Sequence, residues 1–249
     1  MNRGHDFPAA FPVTRHSVLT LARSADTDAR RRAHDAVAGA YWKPVYKYIR
    51  LRWGAEPHDA EDLTQSFFAD ALGSTLLDRY DATRGRFRTY LRTCVDGFVS
   101  NERKAAGRQK RGGNHEHVAL DFATAEGEVR ELALTSRDDP EALFRDEWVR
   151  RLFEMAIADA RAQCEADGKT VHYQLFEACD LAPRDVDARP SYEDLARRFD
   201  LSVIQVTNFL ALARRRFRAA VLERVRELTA SEEEFRAEVR DLLGEGFEP

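Results

Sequence analysis

Cysteine is scarce in this chain of 249 residues: Cys94, Cys164 and Cys179 are the three present, odd in number and far apart. They make neither a disulfide framework nor a CxxC metal or redox pair, which points to a reducing cytoplasm. No run approaches the roughly 20 apolar residues of a membrane span, and Met1 to Phe11 carries no signal-like apolar core. A cytoplasmic chain with no membrane partner is therefore expected. Strand-like alternation and tight hairpin dipeptides are nearly absent. So are the G-x-x-x-x-G-K loop, the nucleophile elbow and the Rossmann glycine set, and no catalytic residue or cofactor is expected. The clustered metal-capable side chains are His115-Glu-His117 with Asp121; they lack both HExxH spacing and a nearby cysteine pair, so no metal is expected.

What the chain has is charge and helical periodicity. Charged residues make up 33%, above the usual quarter or so, beside 43% hydrophobic residues. This balance suits helices with ion-paired outer faces. The net charge of −4 opposes nucleic-acid binding only if charge is evenly spread, and it is not.

The pattern predicts an all-α fold of two helical domains. A first block runs from about Asp26 to Arg108 and ends at Lys110-Arg-Gly-Gly-Asn114, whose glycines stop helices. The polar, weakly periodic stretch 112–139 reads as a linker. The second block opens with Asp139 as N-cap, Pro140 at the first helical position and Glu141 in the first turn. The expected division is thus 1–111, linker 112–139, and 140–249. An amphipathic segment, Glu233 to Leu243, closes the chain.

The sharpest local signal runs from Ser191 to Arg218 and reads as a short helix, a tight turn and a longer helix. Tyr192, Leu195, Ala196 and Phe199 share one face, as do Val206, Leu210, Ala213 and Phe217 on the second helix. Its other side presents Ile204, Gln205, Thr207 and Asn208, followed by Arg214 and Arg215. Polar and apolar groups near a helix start can address base edges while arginines grip phosphates. An ordinary helical hairpin with a solvated basic face would carry the same pattern.

A second stretch, Phe87 to Lys104 with Arg108 beyond it, concentrates positive charge. Phe87, Leu91, Cys94 and Phe98 are expected to face inward, leaving Arg86, Arg88, Arg92, Lys104 and Arg108 for phosphate or solvent. Tyr90 is placed to stack on an unpaired base. A third stretch, Asp59-Ala-Glu-Asp-Leu-Thr-Gln-Ser-Phe-Phe68, opens acidic; Asp59 with Asp62 resembles a capping box, and the two leave a polar stripe opposite Leu63 and Phe67.

In this order the three stretches resemble the extracytoplasmic function (ECF) group of bacterial RNA polymerase sigma factors, of the sigma-70 family. Phe11-Pro-Val-Thr, Tyr41-Trp-Lys-Pro-Val-Tyr and Lys110-Arg-Gly-Gly also match one branch of that group. The resemblance implies an initiation factor, not an enzyme. Its partners would be core RNA polymerase and double-stranded promoter DNA with a melted −10 segment.

Carried over residue by residue, Asp59, Asp62, Gln65 and Phe68 would face the polymerase clamp. Arg86, Arg88, Tyr90, Arg92, Asn101, Lys104 and Arg108 would hold the −10 element, with an extruded base read in the loop from Ser74 to Arg84. Ile204, Gln205, Thr207, Asn208, Arg214 and Arg215 would read the −35 element. Thr64 and Ser66 stand where many relatives carry an aliphatic and an acidic residue, which makes them candidate phosphorylation positions. A Ser/Thr kinase or an anti-sigma factor would then be the regulator. The alternative is a stand-alone helix-turn-helix regulator, which has no need of the acidic helix.

Overall fold

The computed structural model describes residues 17–71, 76–106, 120–132, 139–182 and 190–244. Those residues fold into helices, and no strand forms among them. The segments Phe11 to Thr14 and Lys110 to Gly113, and the pair His115 and His117, lie outside the described residues.

The central element is helix α2, Thr27–Arg52, which follows the short α1, Val18–Leu21. Asp26 caps α2 by accepting from the backbone N–H of Asp28 at 2.9 Å. Every residue from Tyr41 to Ile49 is buried, including Lys43 and Lys47. A helix buried on all sides must be surrounded by other helices, and here α3 (Pro57–Ser66), α5 (Phe87–Ala106), α6 (Phe122–Leu132) and α7 (Pro140–Ala166) pack around it.

The stretch expected to be a linker contains α6. Phe122 packs edge-on against Trp42 at 5.5 Å and tilted against Tyr46 at 5.1 Å, and Ala125 and Val129 are buried beside it. Between those positions the charged residues are also engaged. Glu126 takes two hydrogen bonds of 2.8 Å from Arg50 and one of 2.8 Å from the Tyr46 hydroxyl, while Glu128 pairs with Lys43 at 2.6 Å and with Lys47. Lys47 also pairs with Glu147 of α7, so the two cations buried in α2 are neutralised by carboxylates from two different helices.

Helix α7 starts as its sequence predicts: Pro140 is the first helical residue and Asp139 accepts from the backbone N–H groups of Glu141 and Ala142 at 2.9 and 3.0 Å. Phe144, Trp148 and Leu152 bury into the α2 core, where Tyr41 stacks on both Phe144 and Trp148. Its later residues, Ala160 and Cys164, are buried too, and Cys164 joins a second cluster with α8 (Thr170–Phe176), α9 (Tyr192–Phe199) and the first half of α10 (Val203–Glu227). The second half of α10 returns to the first core through Ala220, Val221 and Val225. Helix α11, Glu232–Leu243, adds Phe235 and Val239 to that same core. Thus α7 and α10 each thread both clusters.

Candidate nucleic-acid interface

Three surfaces carry the residues that the sequence singles out. The first is α3. It begins at Pro57 behind the N-cap Glu56, whose side chain makes no capping hydrogen bond. Asp59 is therefore the third helical residue rather than the cap, which corrects the capping-box expectation: proline already fixes the first turn and has no N–H to satisfy. Asp59 still favours the helix dipole. Both Asp59 and Asp62 are exposed, with His58 3.7 Å from Asp62. Gln65 and Ser66 are half-buried, and Phe68 is half-buried with its ring edge-on to Phe67 at 5.3 Å. Thr64 faces inward: it is fully buried, and its hydroxyl donates to the carbonyl of Ala60 at 2.6 Å. After Ser66 the helix widens into a π-turn, Phe67–Ala71.

The second surface is α5. Gly85, with φ 146° and ψ −178°, turns the chain between the 3-10 turn Ala82–Arg84 and the first residue of α5. Side chains other than glycine rarely adopt that backbone region. The Tyr80 hydroxyl sits 2.8 Å from the Gly85 carbonyl and 2.9 Å from a Glu234 oxygen, its one proton shared between the two acceptors, and so fixes the turn. The buried row of α5 is Phe87, Leu91, Val95 and Val99; Cys94 and Phe98, expected to complete it, are half-buried at its edge. A row spaced by four drifts slowly around the helix, so its later positions fall one residue beyond those chosen from the sequence.

This face holds its cations unequally. Arg88 is only 7% exposed: its Nε donates to Glu238 at 2.8 Å, and its guanidinium lies over Trp148 at 5.6 Å. Arg86 pairs with Asp241, and Arg92 reaches Asp96 at 3.3 Å and Glu141 at 3.8 Å. Tyr90 donates from its hydroxyl to the Leu76 carbonyl at 2.8 Å and packs against Tyr80; burial, with Cys94 beside it, pushes its pKa up to about 12. Asn101 and Lys104 are exposed on the later turns, where Arg103 lies over the Trp53 ring at 5.1 Å. Arg108 lies outside the described residues, as do Ser74 and Thr75 of the loop expected to read a base.

The third surface is the start of α10. Ser191 and Ser202 each complete a capping box, with Asp194 and Gln205 respectively, so the sequence fixes where α9 and α10 begin. Between them Asp200 adopts a left-handed conformation, φ 54° and ψ 52°, which aspartate tolerates better than most side chains. Ile204 is 74% exposed, and Gln205, Thr207, Asn208 and Arg215 are exposed beside it. Two of these are partly committed: the Gln205 carbonyl accepts from the Ser202 backbone at 2.9 Å, and the Thr207 hydroxyl donates to Val203 at 3.0 Å. Arg214 is committed further. Its guanidinium bonds Asp180 at 2.8 and 3.0 Å and Tyr192 at 3.3 Å, and those hydrogen bonds, Asp180 foremost, hold its pKa well above the ordinary guanidinium value.

The exposed acidic helix and the neighbouring basic, aromatic-lined helix now stand together with a comparison: residues 39–109 match the family model of Sigma-70 region 2. That span is similar to region 2 of the sigma-70 family and covers less than a third of the chain. That match supports a sigma-70 family factor. Comparison with curated proteins and with solved structures found no match. The matched span contains most of α2, all of α3 and all of α5, whereas α6 to α11 lie beyond it. Among the described residues no helix is long and apolar enough to cross a membrane, and no group of three or more His, Cys, Asp or Glu side chains is placed to hold a metal.

The residues missed from the sequence are the acids of α11 that cover Arg86 and Arg88. A signal existed: Glu234, Glu238 and Asp241 fall on one helical face.

Proposed function

We propose that this protein is an alternative sigma factor of the ECF type, which docks on core RNA polymerase and carries it to promoters in the cytoplasm. The region 2 match over residues 39–109 carries this reading. Exposed Asp59 and Asp62 on α3, with Gln65 and Phe68 behind them, form the surface for the polymerase clamp. Asn101 and Lys104, with the arginines of α5, hold the −10 element while its strands part. Holding an extruded base out of the stack costs a few kcal/mol, which contacts near Tyr90 offset.

Residues 140–249 act as the −35 reader. Capping of α10 at Ser202 leaves Ile204, Thr207 and Asn208 exposed on its first turns, where a helix entering the major groove meets base edges. Arg215 adds a phosphate contact. The buried Thr64 is a poor kinase target in this packing, so a kinase would meet Ser66 first.

The test is pull-down and run-off transcription with purified core polymerase. Tight core binding and start-site-specific transcripts are expected; Asp59→Lys with Asp62→Lys should lose core binding while keeping helical content. A chain that binds promoter DNA tightly alone and ignores core polymerase would instead be a conventional helix-turn-helix regulator.

A further inference from the structure

Helix α11 carries three carboxylates, Glu234, Glu238 and Asp241, spaced by four and three residues so that they share a face. That face lies on the start of α5. One Glu234 oxygen accepts from the backbone N–H of Phe87 at 2.7 Å and from the Tyr80 hydroxyl at 2.9 Å, while the other accepts from the Ala230 N–H at 2.8 Å. Glu238 takes Arg88 at 2.8 Å, and Asp241 pairs with Arg86 and, at 3.2 Å, with Arg88. A backbone N–H at a helix start and two guanidinium groups two residues apart in sequence, converging on neighbouring carboxylates, are the chemistry that grips phosphates. Here three carboxylates of the same chain fill all of it.

We propose that α11 is an intramolecular stand-in for the DNA backbone, occupying the phosphate-binding start of α5 and masking it until nucleic acid takes its place. The proposal rests on the reading of α5 as the helix that faces DNA. The occupant is suited to leave. Asp241 is exposed enough for salt to screen its pairs. The seam beside it is incompletely packed: a cleft of about 640 Å³ opens between α7 and α11, lined by Arg88, Arg145, Trp148, Phe153, Glu238 and Leu242. Within the seam, Trp148 Nε1 and one Glu238 oxygen are buried without a hydrogen-bond partner. Polar groups left so cost stability that the open arrangement recovers. Phe235 and Val239 hold the other side of α11 in the core, so a local shift of the helix, rather than its removal, uncovers the arginines.

The experiment is fluorescence anisotropy of the full chain, without polymerase, on a labelled duplex bearing an unpaired segment, over a series of salt concentrations. Glu238→Gln with Asp241→Asn should bind about tenfold tighter than the parent at low salt. Its plot of log affinity against log salt should steepen by about 1 to 2, because each added phosphate contact contributes about 0.7 to 0.9. Placing Arg86→Ala and Arg88→Ala in that background should abolish the gain. Asp241→Asn alone, at a half-exposed position, should give a smaller gain, and it decides the matter if circular dichroism shows that the double variant has lost helix.

Equal affinities and slopes in parent and folded variants overturn the proposal, as does a gain that persists without Arg86 and Arg88. Pull-down with core polymerase scores the sigma reading separately. A chain that gains DNA affinity on neutralisation yet ignores polymerase retains the masking and loses the sigma assignment, and the converse result does the reverse.

Discussion

Arg214 clasps Asp180 in a two-pronged hydrogen bond, 2.8 and 3.0 Å, and so ties helix α10 to the π-turn Glu177–Leu181 that follows α8. A guanidinium committed in this way is a strut of the helix-turn-helix. Arg214→Ala should destabilise the chain by about 1 to 2 kcal/mol, the low end of the scale for hydrogen bonds to a charged group because the guanidinium is partly exposed and solvent screens the pair. Arg214→Lys should recover only part of that, since an ammonium cannot make the fork. Denaturant midpoints of the two variants check this; a loss of DNA binding at unchanged stability would return Arg214 to the phosphate-contacting set.

The exposed neighbours divide differently. Arg215→Ala should weaken binding to all −35 sequences alike, because a phosphate contact carries no sequence information. Asn208→Ala should change the ranking among sequences by about 1 to 3 kcal/mol at one base position, the scale of a bidentate amide contact. Run-off transcription on a panel of −35 variants distinguishes the two. A uniform loss from Asn208→Ala, or a selective one from Arg215→Ala, would exchange their roles.

The helix-turn-helix was legible because its signals are local: two capping serines, an acidic or amide partner three residues on, and apolar faces at helical spacing. Asp139 and Pro140 were legible for the same reason. Helix α6 was not. Its buried residues, Phe122, Ala125 and Val129, are sparse and small, and its carboxylates look solvent-facing until Arg50, Lys43 and Lys47 arrive from α2, roughly 80 positions earlier in the chain. The burial of Arg88 was hidden likewise, because the helix that covers it lies 150 residues away in sequence. Periodicity reports which side of a helix is apolar, and it says nothing about which charged side will be met by an opposite charge from a distant element.

The Glu126–Arg50 pair gives a stability test with a defined pH window. Hydrogen bonding from Arg50, against the smaller opposing effect of burial, holds the Glu126 carboxyl below its ordinary value of 4.5. A carboxyl lowered in the folded state contributes stability above its unfolded pKa and loses it as pH falls through the folded one. Glu126→Gln should therefore cost about 1.5 to 3 kcal/mol at neutral pH, the range for a hydrogen bond to a charged group. The gap between variant and parent should narrow as pH drops below 4.5. Denaturant titrations at several pH values check this, and a gap that stays constant into acid would mean that packing rather than charge ties α6 to α2.

The packing of α10 and α11 also limits how far apart the two surfaces proposed to face DNA can reach in this arrangement. At about 1.5 Å per residue along α10, and with Glu234 bonded to Phe87, Ile204 lies no more than about 60 Å from the start of α5. Promoter elements named for positions about 25 base pairs apart are separated by about 85 Å at 3.4 Å per base pair. One chain can touch both on straight DNA only if the shared core opens. That opening has to release α11 from the start of α5, because the Glu234–Phe87 hydrogen bond sets the limit, as well as part α7 from α2. Dyes attached at Thr83→Cys and Glu193→Cys, both exposed positions, should report a single compact distance in the free protein and a longer one with polymerase and promoter bound. An unchanged distance in an active initiation complex would require the DNA to bend towards the protein instead.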